Sequence, residues 1–275
     1  MALVSGLIQA TADGLYCAAG GFYIDPGRPV PRAIVTHAHA DHARPGCDAY
    51  LSSAEGEAVL RARIGTNAAI EALPYGVARD INGVRVSLHP AGHILGSAQV
   101  RVEHRGEVWV VTGDYKVAPD ATCTPFEPVR AHTFITECTF GLPVYRWPST
   151  ESVAAAMNAW WRKNQADGRT SLLYVYALGK AQRVLSLLDP AIGPIGAHGA
   201  VMPFLPLYAA VGVSMPPVVK VGTDTLPTLK GGGLVLAPAS VNATPWQRKL
   251  GRLSRGAASG WMAIRGDRRR LSLDQ

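Results

Sequence analysis

The stretch Thr36-His37-Ala38-His39-Ala40-Asp41-His42 constrains this chain more than any other, because three imidazoles and one carboxylate fall within residues 37–42. Packing alone gives no reason for such a run. Side chains two apart on an extended chain point the same way, so His37 and His39 can reach one cation together. Asp41 and His42 then face a neighbouring point as the chain turns. The pattern suits a pair of divalent metals. The mix of imidazole nitrogen and carboxylate oxygen suits zinc, which takes both at about 2.0–2.2 Å. The segment follows a strand-like run, Ala33-Ile34-Val35-Thr36, and is not a homopolymer. Both features separate it from a solvated His-rich tract or a tag.

The rest of the chain is suited to building a fold around that motif. At 275 residues, 48% hydrophobic and 17% charged, it can bury a sizeable core in one large domain or two modest ones. No apolar run approaches the roughly 20 residues that span a bilayer. Met1-Ala2-Leu3-Val4-Ser5 lacks the basic start of a secretory signal, so no membrane partner is expected. Cys17, Cys47, Cys123 and Cys138 lie far apart with no C-x-x-C pair. That argues against a zinc ribbon or a disulfide framework, and for free thiols in a reducing cytoplasm. The net charge of +7, with Arg248, Lys249, Arg252, Arg255, Arg265, Arg268, Arg269 and Arg270 crowding the C-terminal part, favours a polyanion such as nucleic acid. A solvated basic tail is the competing reading.

Along the chain the texture changes once. Up to about residue 140 it reads as short strands and turns, with a helix predicted over 54–64 and strands over 84–88, 98–102, 107–112 and 133–136. Alternating Val100, Val102, Val108 and Val110, with Arg105-Gly106 as the turn, mark a half-buried hairpin. Beyond Gly141-Leu142-Pro143 the pattern becomes α/β. A helix starts at Ser149-Thr150-Glu151 with Val153, Met157, Trp160 and Trp161 as its apolar stripe. A strand is predicted over 172–177, a helix opens at Gly179-Lys180, and a further strand covers 233–237. The Gly-Lys pair lacks the earlier glycine of a phosphate-binding loop. Two domains follow, 1–140 with the metal motif and 141–275 with the basic tail.

Two later segments extend the chemistry. His93 sits in a Gly-rich turn, Pro90-Ala91-Gly92-His93-Ile94-Leu95-Gly96-Ser97, and Asp114 ends a strand in Thr112-Gly113-Asp114-Tyr115. Taken alone, each is an ordinary turn residue. Loops at strand ends are where ligands from separated strands converge. The ordered set of Asp25, the 37–42 motif, His93 and Asp114 resembles the metallo-β-lactamase-fold hydrolases. The stretch 89–98, followed by Thr112-Gly113-Asp114, and Thr136-Glu137-Cys138-Thr139-Phe140-Gly141 resemble the nucleic-acid-processing β-CASP branch. The segments 141–148 and Leu178-Gly179-Lys180-Ala181-Gln182-Arg183 are similar to the bacterial ligase-associated DNA exonucleases, relatives of the DNA cross-link repair nucleases.

That resemblance implies an αββα metallo-β-lactamase sandwich with a β-CASP-like α/β second domain. It implies a first metal held by His37, His39 and His93, a second held by Asp41 and His42, and Asp114 bridging them. Asp25 and Glu137 become carboxylates that orient ligand imidazoles, and Asp41, Asp114 and Glu137 the acidic residues of catalysis. Lys180 and Arg183 become contacts to the nucleic-acid backbone, with Lys116 more plainly a surface cation. The implied cofactor is a pair of Zn2+ ions, with Mn2+ as an alternative. The implied activity is metal-dependent exonucleolytic hydrolysis of DNA in repair, in partnership with an ATP-dependent DNA ligase. Two metals about 3.5–4 Å apart suit that chemistry, because they neutralise the phosphodiester and lower the pKa of an attacking water.

The family pattern also has two later histidines, one in an Asp-His stretch and one before a glycine near the C-terminus. Here no histidine follows His198. His198 precedes Gly199 but falls in the inserted domain. The expectation is a C-terminally truncated homologue, with the C-terminal part of the sandwich missing, activity impaired, and apolar surface or a sheet edge left exposed. The alternatives are a non-catalytic remnant that binds metal and nucleic acid, an RNA-directed β-CASP ribonuclease, and a small-molecule hydrolase, for which an inserted α/β domain has no use.

Overall fold

The computed structural model describes residues 6–143 and 145–260. Trp261 and the arginines Arg265, Arg268, Arg269 and Arg270 of the expected tail lie outside them. The chain forms two compact units, Met1–Cys138 and Thr139–Gln275.

The first unit is a two-sheet sandwich. One sheet runs in the order β1 (Gln9–Thr11), β2 (Gly14–Cys17), β3 (Phe22–Ile24), β4 (Arg32–Ile34), β5 (Ala49–Ser53) and β6 (Ile70–Leu73). It is antiparallel from β1 to β3 and parallel from β3 to β6. The single helix described in this unit, α1 (Glu57–Ile64), packs on β5 and β6 through buried Val59 and Leu60. The second sheet comprises β7 (Ala78–Ile81), β8 (Val84–Pro90), β9 (Ala98–His104), β10 (Glu107–Val111) and β11 (Thr133–Ile135). Its core face follows the period-2 pattern, with Val84, Val86 and Leu88 of β8 and Ala98, Val100 and Val102 of β9 all buried. These side chains meet Phe22, Ile24, Ile34 and Leu51 of the first sheet in one apolar layer. The β9–β10 turn is Arg105-Gly106, with φ of +50° and +80°. Two left-handed residues in a two-residue loop match the twist of the flanking strands. β11 is an edge strand, and its Phe134 is exposed.

The second unit is an α/β layer. All five strands run parallel, in the order β14 (Val219–Lys220), β13 (Ile195–Ala197), β15 (Leu234–Ala237), β12 (Thr170–Tyr174) and β16 (Leu253–Ala257). Parallel strands covered on both faces read as continuous apolar runs, and β15 is buried throughout. Helix α2 (Thr150–Ala166) covers one face with Val153, Met157 and Trp161, together with α3 (Lys180–Ser186). It starts at Ser149, whose hydroxyl accepts the Ser152 N–H at 3.2 Å. Short helices α4 (Leu205–Ala210), α5 (Leu226–Leu229) and α6 (Pro245–Arg248) complete the unit. β12 starts two residues before the predicted strand and ends three before its predicted end. Among the described residues no helix is long and apolar enough to cross a membrane.

This is the α/β metallo-β-lactamase-like architecture the motifs imply, with α1 as the outer helix among the described residues.

Candidate metal centre

Four strands deliver their C-terminal ends to one place. The chain leaves β4 through Val35 and Thr36, and the Thr36 carbonyl accepts the Ala98 N–H at 2.8 Å, tying this exit to the second sheet. Residues 39–43 then form a tight turn in which the His39 carbonyl accepts the N–H groups of His42 (3.2 Å) and Ala43 (2.8 Å). His93 follows β8 in a loop held by Ser97, whose hydroxyl accepts the N–H groups of His93 and Ile94. Asp114 follows β10 and Glu137 follows β11. These two strands run parallel with Val111 opposite Ile135, so the two carboxylates leave neighbouring strand ends.

The side chains converge in two groups that share Asp114. His37, His39, His93 and Asp114 each offer a ligand atom within 4.8 Å of the others, and so do His42, Asp114 and Glu137. In the first group His39 Nδ1 faces His37 Nε2 at 3.0 Å and His93 Nε2 at 3.2 Å. Asp114 Oδ2 is 3.8 Å from His37 Nε2 and 3.6 Å from His93 Nε2. A single proton on His39 Nδ1 could satisfy only one of its two facing nitrogens. A cation among them satisfies all, and a tetrahedron with zinc–nitrogen arms has edges of about 3.3 Å. The donor set therefore fits a bound divalent metal.

Asp25 fixes the tautomers. Its carboxylate accepts the Thr36 N–H (2.8 Å), the Thr36 hydroxyl (2.5 Å) and His42 Nδ1–H (2.8 Å). The Thr36 hydroxyl spends its one proton on Asp25, so its contact with His37 Nδ1 at 3.1 Å makes it the acceptor there. Both imidazoles thus keep a proton on Nδ1 and turn Nε2 towards the centre. Asp25 itself sits at φ +45°, a left-handed conformation that Asp tolerates better than most residues. Gly113, at φ +54°, is required next to it, because a Cβ there would lie 2.5 Å from Thr36 Oγ1.

Ionisation follows from this layout. Burial, aided by its positive neighbours His39, His93 and His42, holds His37 well below the usual histidine range, so it is a neutral donor. Burial also works against charge on His42. The Asp25 hydrogen bond and the charges of Asp25, Glu137 and Asp114 outweigh it and carry His42 up to about 9. Burial and a hydrogen bond with Asp114 push Glu137 up to about 7, against the opposing pull of His42. The centre is thus built around a positive charge, which His42 and a shared proton supply when no metal does.

Asp41 is not brought in with the rest. The 39–43 turn rotates it outward, leaving its side chain 77% exposed and its carboxylate 3.8 Å from His42 Nε2, outside both groups. Glu137 stands at the second group rather than behind it, with Oε1 also 3.8 Å from His42 Nε2. Lys180 and Arg183, expected to contact the nucleic-acid backbone, are both buried, and Arg183 donates to Thr150 Oγ1 at 3.5 Å. Lys116 is likewise no surface cation, being buried against Asp120 at 3.1 Å. His198 packs edge-on against Trp246 in the second unit, and His132 Nδ1 accepts the Val108 N–H. Neither belongs to a metal-capable group among the described residues. The sequence reading gave Thr36 no role; its one available signal was a hydroxyl directly before the first histidine.

Fold and site together define a class, a metallo-β-lactamase-fold metal centre in a chain that also carries a parallel α/β unit. No family model matches the chain. A probable DNA ligase of Opitutus terrae is 31% identical over 253 residues, covering 91% of this chain and 24% of that protein. Endoribonuclease ysh1 of Aspergillus fumigatus is 34% identical over 123 residues, 44% of this chain and 14% of its own length. Cleavage and polyadenylation specificity factor 73 of Drosophila melanogaster is 32% identical over 122 residues, 44% of this chain and 18% of its own. The chain thus spans a quarter or less of the curated relatives it matches. A solved protein of unknown function from Enterococcus faecalis shares the fold, with a TM-score of 0.51 at 11% identity, covering 82% of this chain and 62% of that one. By these relatives the chain is a homologue of the β-CASP-type metallo-β-lactamase nucleases.

Proposed function

We propose that this chain is a metal-dependent phosphodiesterase that degrades DNA from an end, of the ligase-associated exonuclease type, acting in the cytoplasm with an ATP-dependent DNA ligase. One observation carries the proposal: two donor groups share the carboxylate of Asp114 at the ends of four strands. In this reading His37, His39, His93 and Asp114 hold one metal. His42 and Asp114 hold the other, with Asp41 close enough to join by a side-chain rotation. Two Zn2+ or Mn2+ ions, when bound, neutralise the phosphodiester oxygens and acidify a water. The chain's own residues do the rest. Asp25 and Thr36 lock two imidazoles in the donor tautomer, and Glu137 places a further carboxylate beside the second group. The +7 charge draws the polyanion in without reading its sequence.

DNA is preferred over RNA because the relative that aligns with 91% of this chain is a probable DNA ligase, whereas the endoribonuclease aligns with 44%. The four free cysteines among the described residues suit a reducing compartment. The test is a comparison of end-labelled single-stranded DNA, duplex DNA and RNA, each with added Zn2+ or Mn2+. Metal-dependent shortening of DNA from its ends, abolished by chelation and by Asp114→Asn, is expected. Cleavage of RNA alone, or of none of the three, overturns the proposal.

A further inference from the structure

We propose that Glu137 is a direct ligand of the second metal, completing a His42–Asp114–Glu137 donor set. The assignment rests on the two-metal reading above and changes the role of Glu137 within it, from a carboxylate that orients an imidazole to one that binds the ion.

Three observations point there. First, an orienting carboxylate must accept an imidazole N–H from the side away from the metal. For His42 that position is filled, because Nδ1–H already goes to Asp25 at 2.8 Å. For His37 it is filled by Thr36 Oγ1 at 3.1 Å. Glu137 Oε1 instead faces the opposite nitrogen, His42 Nε2, at 3.8 Å. Second, that nitrogen belongs to a side chain only 8% exposed and has no hydrogen bond. It is a buried ring nitrogen facing two carboxylates, and at 3.8 Å it is too far from Glu137 for a hydrogen bond but suitably placed for an ion that displaces its proton. Third, the backbone enforces the pairing. Val111 and Ile135 are in register on parallel neighbours, and the Thr112 N–H donates to the Ile135 carbonyl at 3.0 Å. Asp114 and Glu137 therefore emerge side by side, and two carboxylates in that position require a cation or a shared proton between them. Asp41, turned outward, lies outside this group as the turn places it.

Metal titration of the whole protein, by calorimetry with Zn2+ and by metal analysis after gel filtration, separates the roles. Wild type is expected to hold two ions per chain. Glu137→Gln keeps the size and the acceptor oxygen but not the charge. A ligand role predicts one retained ion and a second bound more than about 100-fold more weakly, beyond the 10–100-fold typical of a lost orienting contact. Glu137→Asp should restore part of the second site. The first ion, held by the histidines, should bind unchanged in both variants, which also shows that they fold. If Glu137→Gln holds two ions as tightly as wild type, the ligand assignment is overturned while the two-metal reading stands. If wild type itself holds one ion or none, the two-metal reading falls and the assignment falls with it.

Discussion

Asp25 supports both imidazoles that flank the shared carboxylate, so replacing it by Asn reaches the centre without touching a ligand. Asn is isosteric and tolerates the left-handed backbone at φ +45°, which confines the change to one atom. Oδ1 can still accept the Thr36 N–H. The new amide nitrogen takes the place of Oδ2, where it meets the Thr36 hydroxyl, which can turn to accept, and His42 Nδ1–H, which cannot. The donor-against-donor clash forces His42 to give up its Nδ1 proton and keep the one on Nε2, which points into the metal site. Three hydrogen bonds to a charged acceptor are worth about 1.5–3 kcal/mol each. Asn sacrifices mainly the one to His42, so Asp25→Asn should cost about 2 kcal/mol in the metal-free protein. Asp25→Ala removes all three and adds backbone strain, but Asp25 is 14% exposed and water can replace part of the loss, which brings the cost to about 4 kcal/mol. Binding at the second site should weaken about 10–100-fold in Asp25→Asn. Urea denaturation with chelator and zinc titration of the same preparation check both numbers. A variant within about 0.5 kcal/mol of wild type, binding zinc equally well, would refute the tautomer argument.

Three further outcomes follow from the same geometry. Gly96 has φ +75°, and a Cβ there would sit 2.0 Å from Gly56 Cα; because the obstructing atom is backbone and cannot swing aside, Gly96→Ala should cost more than about 3 kcal/mol and displace His93, read as a lowered melting temperature and loss of the first zinc, while near-wild-type melting would contradict it. Lys116→Ala strands the buried Asp120 carboxylate, which also accepts both the N–H and the hydroxyl of Thr122, and should destabilise by about 3–5 kcal/mol without changing the DNA affinity of the folded fraction; a fall in affinity with stability intact would make Lys116 a phosphate contact after all. Without metal, His42 is raised from 6.5 to about 9, so its contribution is fully present below pH 6.5 and lost as pH rises through 9, about 3 kcal/mol in all. Glu137, raised from 4.5 to about 7, adds a smaller loss of the same sign, because half its side chain is in solvent. Chelated protein should therefore melt lower at pH 9 than at pH 6, whereas zinc affinity should rise over the same range as these protons are displaced; a flat profile in chelator would contradict the charge layout.

Much of this centre was legible in the sequence because its parts are local. The 37–42 motif, His93 in its glycine turn and Asp114 at a strand end announce themselves by residue type and by the strand pattern before them. The hairpin at Arg105-Gly106 and the helix behind Ser149 were legible for the same reason, since turn and cap chemistry act within a few residues. What was not legible depends on direction. The turn that captures the His39 carbonyl throws Asp41 outward and His42 inward, though they are neighbours in sequence. Glu137 reaches the ligand group because β11 lies parallel to β10, a non-local pairing that no short window encodes. Lys116 reads as a surface cation because charge is usually exposed, and only packing shows it, with Lys180 and Arg183, to be buried. The strands β5, β6 and β7 leave little signal in the sequence, because they are short and mix Ser, Glu, Arg and Asp with their apolar residues.

The most direct test of the account is a crystal structure of the zinc-loaded protein with anomalous data at the zinc edge. Two peaks are expected about 3.5–4 Å apart, one among His37, His39 and His93, the other at His42, with Asp114 touching both. A single peak, or zinc bound anywhere that leaves Asp114 without a metal, would contradict the central claim.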